Sequence, residues 1–571
     1  MPEHDVVVVG GGFAGMRAAI AAKSAGAEVA LVSKVHPLRS HSSGAHSGIN
    51  AALGAEDSWQ SHAHDTIVAG DYLSDQDAVE ILCQEGIQDV IRLEHMGVIF
   101  SRDGQGRIDL MPFAASSRPR TCYVGDSAGH IILQVLYEQL LRLQVQTYDE
   151  WFVTSLLIAD GVCQGAIAQE LSTGRLQPLY ARAVVLATGG LGRMYQPSTS
   201  AYTSTADGVA LAYRAGAPLV DMEMVQYHPT TLKGRGTVIT EAARGEGAYL
   251  VNKDGDRFMA SYAPERMEMA PRDVCCRAIE TEIAAGRGME SVRGGQGRER
   301  VERHDDCVFL DFRHLDPQRM DDRLPETQLL AKNLAGIDIK KDLVPVQPAM
   351  HRPIGGIQIN VDGATDIPGL YAVGECACVG VHGANRLGGN SLLDSIVFGR
   401  RAGDAAATYT RATPSQRASQ SLLEDQERRV QELAARSGGK DTVGSLRLEL
   451  ALTMHQKVGI YRSRVGLREA IEKVNELKGR YARVAISSAG GAYNPSLSAF
   501  LELGNMLDVA QVIVASALAR QESRGAHYRT DFPQRDDASW LKHTIASYTP
   551  DRPSLAYKPV VITQWQPSDP S

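Results

Sequence analysis

The opening segment "HDVVVVGGGFAGMRAAIAAKSAGAEVALVSK" alternates between apolar strands and an alanine-rich helix. Val6 to Val9 form an apolar run short enough for a buried parallel strand. Phe13 to Ala25 predict a helix, Gly26 is placed to cap it, and Glu28 to Val32 predict a second strand. Between the first strand and the helix, Gly10, Gly12 and Gly15 give G-x-G-x-x-G. Glycines at this spacing allow a tight turn and bring a pyrophosphate onto backbone N–H groups at the positive end of the helix. The strand before and the helix after make the motif evidence for nucleotide binding.

Two later segments repeat the theme. "ARAVVLATGGLG" (181–192) and "GLYAVGECA" (369–377) each read as a strand ending in a glycine turn. Three such turns predict one large α/β nucleotide domain interrupted by an insertion. No acidic residue ends the second strand; Ser33 and Lys34 stand there, which weakens an NAD reading and leaves room for FAD. From about 401 onward, "SLLEDQERRVQELAARSG", "SLRLELALTMHQKVGIYRS" and "NMLDVAQVIVASALARQES" carry helical spacing and predict a bundle. The tail after about 521 is Pro-rich and predicts an extended region, and "SVRGGQGRERVERHDD" (291–306) reads as a solvated loop. The expected organisation is a Rossmann-like FAD-binding domain (1–223 and 338–400), a capping domain (224–337), a helical domain (401–520) and a C-terminal region (521–571).

At 571 residues the chain needs more than one core. A formal net charge of −8 without blocks of like charge argues against nucleic acid as a partner. No uninterrupted apolar run is long enough to span a bilayer, and the strand beginning at Asp5 is expected to leave no room for a signal peptide, which predicts an intracellular soluble chain. The eight cysteines are scattered without CxxC spacing, so they are expected to be reduced, and any iron–sulfur cluster belongs to another chain. "RSHSSGAHSG" (39–48) holds two histidines in a loop of small residues, open to metal, solvent-facing and cofactor roles; no third metal ligand stands nearby.

The chain resembles the flavoprotein subunit of succinate dehydrogenase and quinol:fumarate reductase nearly end to end. The resemblance is carried by "SKVHPLRSH" (33–41), "DMEMVQYHPT" (221–230), "TEAARGEGAYLVNKDGDRFM" (240–259), "APRDVCCRAI" (270–279), "HGANRLGGNSLLD" (382–394) and "ESRGAHYRTDFPQRDD" (522–537). It implies that His41 bonds covalently to the 8α-methyl of FAD, raising the flavin potential enough to accept electrons from succinate. It places Gly10, Gly12, Gly15, Ser33, Lys34, Ser40, Gly48, Asp207, Glu375, Ser391 and Leu392 around the cofactor. His228 with Thr240, and His351 with Arg386, are then expected to hold the two carboxylates of succinate, with Phe113 beside them. Arg272 is implied as the group that exchanges a proton with substrate carbon while hydride passes to the flavin, with Glu241 and Arg244 as its relay. Arginine normally holds its proton above pH 12, so that role requires neighbours that set its protonation.

Three departures stand out. His46 occupies the position where the family has Gln in succinate oxidisers and Glu in fumarate reductases, so this guide to direction is lost; the imidazole either tunes the flavin or is a tolerated substitution. "MPFAASS" (111–117) replaces the usual Phe-Gly-Gly, and "TADG" (205–208) replaces T-G-D-G. The resemblance implies an iron–sulfur partner subunit, quinone-binding membrane-anchor subunits and a peripheral place on the cytoplasmic side of a prokaryotic membrane. Succinate oxidation is the leading activity. Fumarate reduction, an L-aspartate oxidase-like activity (disfavoured by His41) and a noncatalytic FAD-binding interaction protein are the alternatives.

Overall fold

The computed structural model of the chain describes residues 3–45, 48–289, 307–414, 420–436, 441–486 and 492–568. His46 and the 291–306 loop lie outside the described residues. The central sheet is built on the strand His4–Val9, which pairs in parallel with Val29–Ser33 on one side and with Leu176–Leu186 on the other. Leu370–Ala372 pairs in parallel with the far edge of Leu176–Leu186. The three glycine-ended strands are therefore adjacent, and their turns open on one end of the sheet.

The helix Phe13–Ser24 begins at Gly12 and packs on the long helix Asn390–Ala412. The approach is close because the facing residues are small: a Cβ on Gly403 would lie 2.3 Å from the Ala18 carbonyl oxygen. The 23-residue helix starts well before position 401 and belongs to the nucleotide core, with its N-terminal Ser391 and Leu392 at the same end of the sheet as the Gly10–Gly15 turn. The expected bundle is carried by Val443–Val458, Arg464–Tyr481 and Pro495–Ala519, which pack on one another. Pro495–Ala519 is long and apolar enough to cross a membrane by composition, but most of it is buried inside the protein. The eight cysteines are all buried and none is in a disulfide.

An antiparallel sheet covers the open end of the nucleotide core. Val225–Leu232 pairs with Val344–Pro353, which continues to Val308–Asp311 and Tyr249–Val251. Because Val344–Pro353 is an integral strand of this sheet, the layer runs past the boundary expected at 337. The C-terminal tail is less extended than its prolines suggest: Lys542–Ser547 and Ser554–Pro559 form a hairpin that adds to Leu219–Val220.

That hairpin is pinned by an ion cluster. The buried His543 places Nδ1 2.6 Å from Asp221 Oδ2 and Nε2 3.1 Å from Asp75 Oδ1. Burial opposes its charge, but Asp221 and then Asp75 outweigh it and raise its pKa from 6.5 to about 10. A folded pKa above the unfolded one gives stabilisation that is complete below pH 6.5 and is lost as pH rises through about 10. His543→Gln is expected to cost about 3 kcal/mol near neutral pH, as for a broken buried ion pair. Thermal unfolding of the two proteins across pH checks this: the gap in melting temperature should narrow steadily toward pH 10.

The alanines at two departures adopt backbone conformations that suit glycine. Ala115 has φ of 64°, and Ala206, before the helix Asp207–Arg214, has φ of 63° and ψ of 22°. The turn before Asp207 thus forms with alanine in the left-handed region, at a cost of about 1–2 kcal/mol. Glycine's greater freedom in the unfolded chain offsets part of that cost. Ala206→Gly is expected to stabilise the chain by up to about 1 kcal/mol, read as a rise in melting temperature.

Candidate active site

One large cavity, of about 560 Å³, runs between the nucleotide core and the covering sheet. Its nucleotide end is lined by the Gly10–Gly12 turn, Ser33 and Lys34. The turn is tight enough that a Cβ on Gly15 would meet the Gly10 carbonyl oxygen at 1.9 Å. Lys34 donates to Asp207 Oδ2 and to Glu502 Oε1, both at 2.7 Å. Burial opposes its charge, but these two carboxylates hold the ammonium above its ordinary pKa. Asp207 also accepts from Thr205 and from Asn505, so its carboxylate is engaged within the protein as well as lining the cavity. Glu502 and Asn505 come from the helical region, far along the chain, and had no sequence signal.

The middle of the cavity is lined by Ser40, His41, Gly48, Glu375, Ser391 and Leu392. His41 Nδ1 accepts the Ala201 N–H at 3.3 Å, which fixes the ring's place on the cavity wall. Burial pushes this imidazole below its ordinary pKa; Glu375 opposes the shift and Arg193 and Arg352 assist it. His41 is therefore held in its neutral form near pH 7. The buried hydroxyls of Ser40 and Ser200, both on the cavity, have no hydrogen-bond partner among the described residues. The glycine cradle, the two inward helix N-termini and these unsatisfied hydroxyls fit an elongated phosphate-bearing cofactor such as FAD.

The far end is cationic. His228 on Val225–Leu232 and His351 on Val344–Pro353 face each other with ring centroids 5.2 Å apart. Burial, reinforced by the charge of Arg272, lowers both pKa values well below 6.5, so both rings are neutral. His228 Nδ1 lies 3.2 Å from the Thr230 carbonyl oxygen and 3.3 Å from the Thr230 nitrogen, so the Thr230 backbone holds that side of the ring. His351 Nδ1 lies 2.9 Å from Thr199 Oγ1. Arg272, the first residue of the helix Arg272–Ala284, and Arg386 complete the wall. Arg386 Nε is buried without a partner among the described residues, which fits a site prepared for an anion.

Behind that wall stand Thr240, Glu241, Arg244 and Phe113, all buried. Thr240 caps the short helix Glu241–Gly245 through Ala242 N–H, which places Glu241 and Arg244 on one turn. Arg272 Nε donates to Glu241 Oε2 at 2.6 Å, and Arg244 Nη2 lies 3.6 Å from the same oxygen. Burial alone raises the Glu241 pKa, but Arg272 and Arg244 outweigh it and keep the carboxylate ionised. Asp273 is paired with Arg277 and Asn385, so Arg272 is held by Glu241 and not by its neighbour in sequence. Phe113 packs against Gly388, where a Cβ would lie 2.3 Å from the ring.

Sequence reasoning missed Gln226. Its Oε1 accepts from Arg272 Nη1 at 3.2 Å and from Arg386 Nη2 at 3.0 Å, while its Nε2 donates to Asn385 Oδ1 and the Arg386 carbonyl. One neutral amide thus holds two buried guanidiniums side by side. Its place two residues before His228 in "VQYHPT" is the one signal that pointed toward it.

The chain matches two family models, an FAD binding domain over residues 5–392 and the fumarate reductase flavoprotein C-terminal domain over residues 447–571. It is 44% identical over 586 residues to the fumarate reductase flavoprotein subunit of Mycobacterium tuberculosis, covering 99% of each chain. It is 43% identical over 583 residues to the succinate dehydrogenase flavoprotein subunit of Rickettsia bellii, covering 98% of this chain and 96% of that one. Among solved structures, it superposes on an E. coli quinol fumarate reductase FrdA chain with a TM-score of 0.95 and 39% identity, over 100% of this chain and 98% of the other.

Proposed function

Since the chain belongs to the flavoprotein subunits of the succinate dehydrogenase and fumarate reductase family, we propose that it interconverts succinate and fumarate at an FAD bonded covalently to His41, working physiologically as the succinate-oxidising subunit. The observation that carries the reading is the paired wall: neutral His228 and His351, cationic Arg272 and Arg386, and an orphaned Arg386 Nε facing one cavity. A C4 dicarboxylate offers an anion at each end, and these groups supply a donor set for each. His228, backed by the Thr240–Glu241 turn, would take one carboxylate; His351 and the Arg386 fork would take the other.

Bound FAD supplies the two-electron acceptor for the carbon-bound hydrogen of succinate. The protein's task is the second hydrogen, which leaves as a proton. Arg272 stands on the cavity wall beside His228, His351 and Arg386, with the buried Glu241 carboxylate 2.6 Å behind it. Arg272 can take the carbon proton only after passing one of its own to ionised Glu241, 2.6 Å away, and Arg244 on the far side of Glu241 keeps that carboxylate ionised until it does. Gln226 holds Arg272 and Arg386 in register without adding charge between them. The surplus of buried cations favours the electron-rich flavin, which supports succinate oxidation as the working direction.

The reading includes a separate iron–sulfur subunit that takes the electrons onward and membrane-anchor subunits that hold the quinone. These partners would place the chain peripherally on the cytoplasmic side of the membrane. It is supported by the likeness to a flavoprotein of quinol fumarate reductase. In a flavin-replete preparation, artificial-dye reduction should depend on succinate and exceed the reverse reaction with fumarate. Faster fumarate reduction would make the physiological reductase the correct reading. No turnover in either direction would leave a noncatalytic FAD-binding protein.

A further inference from the structure

The cavity wall holds a guanidinium that the chemistry above does not use. Arg352 is 6% exposed and lines the cavity beside His351. Its Nη2 donates to Asp394 Oδ2 at 3.0 Å and lies 3.3 Å from His382 Nε2, while its Nε is buried with no partner among the described residues.

Its orientation depends on a β-bulge. Gln226 is opposite Arg352 and Tyr227 is opposite Met350, so His351 is an extra residue in its strand. Consecutive side chains of a regular strand point to opposite faces. The bulge re-aims them, and both His351 and Arg352 reach the same cavity. A role limited to pairing with Asp394 needs neither the bulge nor an orphaned Nε, and a buried ion pair is weak evidence for a stabilising purpose.

The surroundings fix the charge. Asp394 is ionised: burial opposes its charge, but His382 and Arg352 hold its pKa below the ordinary value. His382 is neutral, because burial and the nearby arginines lower its pKa to about 4 against the pull of Asp394. Arg352 shares the cavity with His41 and with Arg386 at the substrate end, and its charge lowers the pKa of both. Glu375 faces the same space.

We propose that Arg352 is a cofactor-contacting cation that stabilises the electron-rich flavin, with Asp394 setting how much of its charge the flavin feels. The proposal rests on flavin occupying this cavity. It concerns the position of the redox equilibrium and involves no bond made or broken by Arg352.

The test is a spectroelectrochemical titration of the flavin in the holoprotein and in the Arg352→Gln, Arg352→Lys and Asp394→Asn variants. Loss of the cation should make the flavin at least tenfold harder to reduce, which for a two-electron couple is a shift of about 30 mV to lower potential. Arg352→Lys should stay nearer the wild type. Asp394→Asn should shift the midpoint upward, because it unmasks the guanidinium. The opposite signs separate a charge effect from general damage, and the Lys and Asn variants keep the test open where Arg352→Gln does not fold. Unchanged midpoints with flavin bound would overturn the proposal and leave Arg352 as a structural partner of Asp394. Absence of flavin from the wild-type chain would instead overturn the cofactor reading beneath it.

Discussion

Replacing Arg272 with Gln is expected to slow succinate oxidation and fumarate reduction alike by about 10²–10⁴-fold, the range for removing a general acid–base group, with flavin still bound. Both directions fall together because proton loss and proton return use the same atom. Glutamine keeps some hydrogen bonding to Gln226 but cannot carry a proton between carbon and Glu241. The substitution also removes the main partner of a buried carboxylate. Burial then acts on Glu241 with less opposition, its pKa rises, and the chain loses about 3–5 kcal/mol of stability. Flavin content and melting temperature are therefore measured beside the rates. Arg272→Lys separates the effects: its charge should restore much of the stability, while its single-point ammonium cannot reproduce the planar contacts to Glu241 and Gln226, so turnover should remain at least tenfold down. Near-normal turnover in Arg272→Gln would refute proton transfer at this position.

His41→Ala carries the second large effect. Acid-denatured, gel-separated wild-type chain should retain flavin fluorescence, and the variant should lose it completely. The cavity keeps its glycine turn and helix ends, so the variant should still bind FAD reversibly under native conditions. Without the covalent bond the flavin potential falls, and succinate oxidation should drop at least tenfold further than fumarate reduction. Equal losses in both directions would mean that His41 positions the flavin without tuning it. Flavin fluorescence absent from a replete wild-type chain would move the assignment toward the aspartate oxidase-like relative.

The parts of this architecture that were legible in the sequence are those where local pattern and global fold agree. Val6–Val9 with Gly10, Gly12 and Gly15 announce strand, turn and helix within a few residues, and the segments ending at Gly189 and Gly374 repeat the first half of that pattern. The covering sheet was harder, because its strands come from 225–232 and 344–353 and pairing across so many residues leaves no local trace. The site shows the same division. His228, Arg272 and Arg386 lie in matched segments and meet His351 in one cavity, whereas the contacts that hold them there are set by tertiary packing.

Arg352 illustrates why such contacts escape a reading of sequence. Strand alternation places it on the face opposite His351, and only the bulge turns it toward the cavity. Lys34 illustrates the converse: its position near the nucleotide was readable, but its charge is spent on Asp207 and on Glu502 from a helix more than 450 residues away. Ala115 and Ala206 show a third limit. As sequence they are small neutral changes, yet each sits at positive φ, where the backbone and not the side chain carries the cost.

The measurement that bears most directly on the central claim is anaerobic mixing of the purified, flavin-loaded chain with succinate while flavin absorbance is followed. Succinate should bleach the oxidised flavin, fumarate should restore it, and L-aspartate should leave it unchanged. A flavin that stays oxidised with succinate and bleaches with L-aspartate would contradict the account.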